Sequence, residues 1–429
     1  MTLSWLQIVR LGLVQMCLGA IVVLTTSTLN RLMVVELALP AVLPGLLVAL
    51  HYGIQITRPN WGFMSDTGGQ RTLFIIGGMV VLALGGLGAA AGVVVMNTSF
   101  WPGMILSILA YGLIGLGVAA SGTSLLALLA TATAPQRRGA AATITWLMMI
   151  AGIAITAGTV GAFLDPYTPA LLMKIVGIVA GGAVVVTTLA VWGIERRVIA
   201  RKEPDEMPFL DGLKEVWAER RARIFTLFVF LSMSAYFMQE LILEPYSGLV
   251  FGYTPGQSTS LSGAQNGGVF LGMVLVGLGT SVLRIGSLRA WVIAGCIGSA
   301  GALALIAGMG NFATHLPFMP AVILMGFFNG MFAVAAIGAM MALAGEGRDA
   351  REGTRMGLWG AAQAIAAGFG GLLGAAAADT LRTMIDDAPA FGAVFMTEAI
   401  LFVLSAWMAL RIMDGNRPTT ENAGLVPGE

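Results

Sequence analysis

Apolar stretches close to the roughly 20 residues that an α-helix needs to cross a bilayer recur twelve times along this chain. They run from Leu11 to Leu29, Ala41 to Ile56, Leu73 to Val95, Met104 to Leu129, Ala141 to Phe163, Ala170 to Ile194, Ile224 to Ile242, Leu261 to Leu283, Ala290 to Ala307, Phe318 to Leu343, Met356 to Ala378 and Phe391 to Leu410. Only 10% of the residues are charged, against about 25% in soluble domains, and 57% are hydrophobic. The sequence therefore predicts an all-α membrane protein of twelve transmembrane helices. The first stretch outruns a signal-peptide core and lacks a small-x-small cleavage site, so it reads as a retained helix.

Charge fixes the expected orientation. Of 23 Lys and Arg residues, 20 fall in alternate loops, and only Arg31, Lys174 and Arg382 fall on the other side. Both termini are thus expected in the cytoplasm. The net charge of +1 gives no reason to expect nucleic acid, because the basic residues are loop anchors rather than one patch. Cys17 and Cys296 both lie inside expected spans, which argues against a disulfide or a metal site.

The polar segment 195–223 divides the spans six and six, with corresponding spans about 215 residues apart, the duplicated pattern of transporters built from two six-helix halves. The expected organisation is a first half over 1–194, a cytoplasmic linker over 195–223, a second half over 224–412 and a cytoplasmic tail over 413–429. Within the linker, Phe209, Leu213, Val216 and Trp217 recur at helical spacing. They fit either an interfacial helix or a solvated connection that Gly212 weakens as a helix. Small-residue pairs such as Gly88 with Gly92 and Gly370 with Gly374 would let helices approach closely.

Between spans two and three the sequence reads Gly62-Phe63-Met64-Ser65-Asp66-Thr67-Gly68-Gly69-Gln70-Arg71. It resembles the G-x-x-x-D-x-x-G-x-[RK] signature of the major facilitator superfamily, which implies a gating role for Gly62, Asp66, Gly69 and Arg71. Thr67 and Gly68 stand where that family often carries basic residues, so a gating network would be weaker here. Arg137-Arg138-Gly139 before span five is echoed by Arg351-Glu352-Gly353 before span eleven, and charge anchoring accounts for Arg137 and Arg138.

A more specific resemblance follows the linker. The runs Phe228 to Met233, Gln239 to Gly252, Thr254-Pro255-Gly256 and Leu261 to Gly268 resemble the PucC/LhaA family of major-facilitator-like proteins, which assist assembly of bacterial light-harvesting complexes. Arg10 to Gln15, Thr28 to Leu37 and Gly357 to Ala364 carry the same resemblance, so it covers most of the chain. It implies an inner or intracytoplasmic photosynthetic membrane. It also implies bacteriochlorophyll, or a precursor, as cargo, with antenna polypeptides, the reaction-centre complex or bacteriochlorophyll synthesis enzymes as partners.

Polar residues at membrane depth are costly and are functional candidates. Those at such depth are His51, Glu240, Glu244, Gln265, Asn266, Asn329, Gln363 and Glu398. A chlorophyll-type magnesium accepts an axial ligand from imidazole, amide oxygen or carboxylate, so His51, Glu240, Glu244, Gln265, Asn266, Asn329 and Gln363 are candidate pigment contacts. A lone histidine in a helix is more often a packed, hydrogen-bonded core residue, and that reading of His51 stands ahead of pigment ligation. Glu240 and Glu244, four residues apart, would share one helix face, and Pro245 with Gly248 would interrupt that helix. Arg31 and Glu36 flank the turn after span one and are the expected structural ion pair.

No nucleotide-binding loop, catalytic triad or metal cluster stands out, so an enzyme is not expected. The reading is an assembly factor that delivers or guides bacteriochlorophyll or shields antenna subunits. The alternatives are a proton-coupled transporter of a small amphipathic solute, working through Glu240, Glu244 or Glu398, and a structural protein of the photosynthetic apparatus.

Overall fold

The structure is a computed structural model that describes residues 3–58, 61, 71–134, 137–195, 217–281, 283, 285–312, 314–345 and 352–412. Most of segment 195–223, the whole tail 413–429, and Gly62, Asp66 and Gly69 lie outside the described residues. The described chain is helical throughout. The first half contains α1 (Trp5–Val23), α2 (Val42–Ile54), α3 (Arg71–Met96), α4 (Phe100–Ala132), α5 (Arg138–Phe163) and α6 (Pro169–Val191). The second contains α7 (Arg220–Met238), α8 (Leu243–Phe251), α9 (Pro255–Ser281), α10 (Leu288–Phe312), α11 (Met319–Gly345), α12 (Glu352–Arg382) and α13 (Asp387–Ile412).

Local sequence explains several helix ends. Ser4 and Gln7 form a reciprocal capping box that starts α1. Thr168 caps α6, with Pro169 in its first turn where a missing N–H removes no helical bond. Glu195 reaches back to the start of α3, accepting from the Arg71 and Thr72 N–H groups at 2.8 and 2.9 Å. A carboxylate there satisfies two unpaired donors and complements the positive end of the helix.

Among the described residues, eleven helices are long and apolar enough to cross a membrane. The twelfth expected span is shorter. It is the apolar helix Val42–Thr57, whose last turn tightens to a 3-10 form at Gln55–Thr57. At 1.5 Å per residue those 16 residues reach about 24 Å, short of a hydrocarbon core of about 30 Å.

The pairing pattern is duplicated. In the first half α3 packs on α4 and α6, α1 on α5 and α6, and α2 on α4. In the second half α10 packs on α11 and α13, α7 on α12 and α13, and α9 on α11, which are the corresponding pairs. Glycines make these contacts intimate. A Cβ on Gly370 or Gly374 of α12 would lie 2.5 Å or 2.7 Å from the Ser234 or Met238 carbonyl oxygen of α7. Gly78, Gly85 and Gly92 do the same for α3 against α4. The buried apolar side chains form two clusters, one almost entirely from residues before Phe225 and the other almost entirely from Phe225 onward. The clusters meet where α5 packs on α9, α2 on α12, and the stretch Leu24–Leu29 that continues α1 on the α7–α8 junction.

Candidate functional site

The first and seventh spans both leave regular geometry where Leu24–Leu29, beyond α1, meets the α7–α8 junction. Beyond Val23 the first span continues as wider π-helical turns, Leu24–Leu29 and Leu32–Glu36. Such turns are uncommon and concentrate at functional sites. Thr25, Thr26, Ser27, Thr28 and Asn30 are all buried here. Each buried polar group needs a partner, and several find theirs in the other half. Ser27 Oγ donates to Glu244. Asn30 Nδ2 donates to the Leu241 carbonyl at 2.8 Å, and the Thr28 and Thr259 hydroxyls lie 3.2 Å apart. The Thr25 carbonyl accepts from the buried Tyr111 hydroxyl of α4 at 2.9 Å.

Arg31 extends this seam toward the sparsely charged face. Its Nη1 lies 2.5 Å from Glu36 Oε1, and its Nη2 donates to the Tyr253 carbonyl of the other half at 2.7 Å. Gly248 makes room for it, since a Cβ there would lie 3.3 Å from Arg31 Nη2. Further cross-half bonds lie on the same side. Asp165, in the α5–α6 turn, accepts from the Thr254 hydroxyl and, at 3.1 Å, from the Gly256 N–H, so a residue of the first half caps α9 of the second. Asp379 of α12 accepts from the Val42 N–H at 2.7 Å and caps α2 in the same crossed manner. These bonds hold the halves together on the sparsely charged side.

The seventh span breaks before, not at, Pro245 and Gly248. A 3-10 turn at Gln239–Leu241 ends α7, and α8 restarts at Leu243. Pro245 then falls in the first turn of α8, where its lack of an N–H is harmless, and Gly252 closes that helix in the left-handed conformation at φ 69°. The break also separates the two acids. Glu244 is buried against Ser27 and lies close to Arg31 and Ser262. Glu240 faces Thr26, Tyr52 and Tyr236 instead. Expected on one face, they serve two environments.

Glu240, Tyr52 and Tyr236 each keep part of their surface accessible although they sit at the junction of the halves. Tyr52 of α2 meets Phe237 of α7 with ring centroids 6.1 Å apart, which brings aromatic walls from both halves together. Along the second and seventh spans these three residues fall on the basic side of Val42 and Glu244, which the seam holds.

The remaining candidates are distributed. His51 is 2% exposed, its Nε2 lies 3.1 Å from Gln55 Nε2, and its Nδ1 has no hydrogen-bond partner. Its backbone faces Gly115 of α4, within the first half. Asn329 is fully buried with Oδ1 accepting from Ser299 at 2.7 Å, tying α10 to α11. Asn266 donates to the Ser262 carbonyl at 3.0 Å on its own helix, and the Gln265 carbonyl lies where Gly326 lets α11 approach. Gln363 of α12 contacts the Met233 sulfur of α7 at 3.7 Å. Glu398 is buried in α13 with neither oxygen hydrogen-bonded. Arg71 is buried at the start of α3, its guanidinium reaching the Ala127 carbonyl at 3.3 Å. The structure brings Arg31, Glu36 and Glu244 together and sets Glu240 in a separate environment, while His51, Asn329, Gln363 and Glu398 lie elsewhere. Among the described residues no group of three or more His, Cys, Asp or Glu could hold a metal ion.

The sequence reading passed over Thr25 to Thr28 and Asn30 as site residues, and Tyr52 and Tyr236 as well. The signal for the first group was on the page: five of six consecutive residues, Thr25 to Asn30, are polar inside a span.

Comparison with known proteins agrees with this architecture. The chain is 13% identical to a solved auto-inhibited peptide transporter of the POT family, with a TM-score of 0.70 covering 98% of this chain and 99% of that one. The fold is thus that of the major facilitator transporters. A Rhodobacter capsulatus protein named bacteriochlorophyll synthase 44.5 kDa chain is 67% identical over 418 residues, 96% of each chain. Protein PucC of Cereibacter sphaeroides is 30% identical over 441 residues, 95% of this chain and 92% of that one. A family model described as PUCC protein matches residues 28–416, nearly the whole length, and the chain accordingly belongs to the PucC family of photosynthetic bacteria.

Proposed function

We propose that this chain is an assembly factor of the photosynthetic membrane that delivers or guides bacteriochlorophyll to antenna complexes or shields their subunits before assembly. The observation that carries the reading is the half-accessible wall of Tyr52, Tyr236 and Glu240 at the junction of the halves, in a chain with this kinship. Aromatic faces suit a flat macrocycle, and a carboxylate suits the open coordination position of its magnesium. The relative's name speaks of a synthase; for this chain we infer handling of the pigment rather than its synthesis. Partners under this reading are antenna polypeptides, the reaction-centre complex or the enzymes that make the pigment. The membrane is the inner or intracytoplasmic one, with both termini and the linker in the cytoplasm. Gly62, Asp66, Gly69 and Arg71 form the cytoplasmic gate.

The test is twofold. Protein purified from pigmented cells carries bacteriochlorophyll in its absorption spectrum, and Glu240→Gln with Glu244→Gln lowers assembled antenna absorbance while protein insertion and the pigment pool stay unchanged. A colourless preparation together with normal antenna in the double variant overturns the reading. The transporter alternative draws on one feature: among the described residues, the hydrogen bonds between the halves lie toward the sparsely charged side, which suits rocking about the seam. It predicts lost solute uptake in the same variant with antenna levels untouched.

A further inference from the structure

One cation near this wall has no role in the reading so far. Arg58 follows the 3-10 turn at the end of α2, one helical turn beyond Ile54 and on the basic side of Tyr52. Its Nη2 donates to Gln55, whose amide is the neighbour of His51. Arg58 is exposed, and among the described residues it makes no ion pair. Tyr52 is within electrostatic reach of both Glu240 and Arg58, and its ring meets Phe237, which in turn meets Tyr236. The junction thus carries a carboxylate, aromatic rings and, toward the basic side, a guanidinium.

We propose that this wall selects a magnesium tetrapyrrole whose propionate is a free carboxylate, with Arg58 pairing the propionate and Glu240 facing the metal. The proposal rests on the pigment-handling reading and narrows it to the unesterified pigment acid. Guanidinium is the side chain best matched to a carboxylate, since its planar fork offers two parallel donors. An esterified propionate retains acceptor oxygens but loses the charge and hence most of the attraction. Gln55 holds the guanidinium through one nitrogen and leaves its other edge for the ligand. The rings of Tyr52, Tyr236 and Phe237 supply the apolar faces between the two charges. A ligand of this kind is the product of a step that completes the macrocycle and the substrate of a step that esterifies its carboxyl. The site would therefore stand between those two classes of reaction.

Binding to the purified full-length chain in detergent or nanodiscs decides it, with three probes: a chlorophyllide, its methyl ester, and the magnesium-free acid. The free acid is expected to bind about tenfold more tightly than the ester, the worth of one charge-assisted hydrogen bond over a neutral one. Arg58→Gln should abolish that preference, Arg58→Lys should keep part of it, and Arg137→Gln, at a basic residue remote from the wall, should leave it whole. Glu240→Gln should weaken binding of the magnesium form and leave the magnesium-free acid unaffected. Equal binding of acid and ester by the unaltered chain overturns the proposal and leaves pigment handling standing; that comparison needs no variant to fold. A preference that survives in Arg58→Gln also overturns it. Failure of every probe to bind overturns both readings.

Discussion

The first and seventh spans occupy corresponding places in the two halves, and they depart from α-helical geometry in opposite directions where they meet. The first widens into π-helical turns, Leu24–Leu29 and Leu32–Glu36; the seventh tightens into a 3-10 turn, Gln239–Leu241, and restarts. Each deviation releases polar groups that a regular helix would keep to itself. The widened span supplies side-chain donors, from Ser27, Asn30 and Arg31, and the tightened span supplies acceptors, the Leu241 and Tyr253 carbonyls and the Glu244 carboxylate. Duplicated halves are thus complementary where these two spans meet. In lipid, where apolar burial gives helices little reason to associate, such hydrogen bonds and close backbone packing are what remain to hold them.

The strongest way to break this pairing is to remove Arg31, which is 2% exposed and serves both Glu36 and Tyr253. Arg31→Ala should destabilise the protein by roughly 3 kcal/mol, since charged hydrogen bonds lost from a buried site are worth about 1.5–3 kcal/mol each and Glu36 remains partly open to solvent. Thermal unfolding of the purified variant checks this. An unchanged melting temperature would mean that the seam is not held at this point.

Packing across the halves gives the next test, and it carries its own control. A Cβ on Gly161 of α5 would lie 2.4 Å from the Ser260 backbone nitrogen of α9, a contact with no flexible atom to yield. Gly161→Ala should cost about 2 kcal/mol, in the usual range for overpacking. Gly158, one turn earlier, has nothing within 4 Å of its added Cβ, so Gly158→Ala should be neutral or slightly stabilising. Equal melting temperatures for the two variants would show that α5 and α9 do not pack as closely as described.

How far the sequence foretold this region depends on the kind of signal each residue gives. The spans were legible because 20 apolar residues in a row admit few other readings, and Arg31 with Glu36 stood out because charge is scarce at that depth. The hydroxyls of Thr25 to Thr28 did not stand out. A lone Ser or Thr in an apolar helix commonly bonds its own backbone, as Thr145, Thr188, Ser232 and Ser405 do here. Thr25 and Thr26 do the same with the Val22 carbonyl, whereas Ser27 and Thr28 reach partners more than 200 residues away, which local pattern cannot show. The break in the seventh span was legible but misplaced. Pro245 draws the eye as a helix breaker, yet in a first turn it is compatible with the helix it begins, so the interruption falls before it. That shift of half a turn is also why Glu240 and Glu244 part company. Tyr52 gave no such signal, because an aromatic in a span is ordinarily packing and its partial accessibility is set by tertiary placement.

The crossed caps sharpen the comparison with a smaller effect. Asp165 satisfies the first turn of α9 from the opposite half, and Asp379 does the same for α2. Asp165→Ala should cost about 1 kcal/mol, the typical worth of a helix cap, and should loosen the halves only on the sparsely charged side.

At the small end lies Arg137, exposed on the basic side with its guanidinium 5.2 Å from the Trp5 ring centroid. Such a contact between accessible groups contributes about 0.5–1 kcal/mol at most, and anchoring at a lipid surface tolerates the loss of one cation among several. Arg71 differs in being buried, with its guanidinium near the Ala127 carbonyl and its backbone N–H held by Glu195. Arg137→Ala should therefore leave antenna yield near normal at matched protein levels, whereas Arg71→Ala should lower it together with stability. The comparison turns on burial rather than charge, because the two residues carry the same guanidinium on the same side of the membrane. Equal yields from both variants would return Arg71 to simple anchoring and count against the proposed gating role.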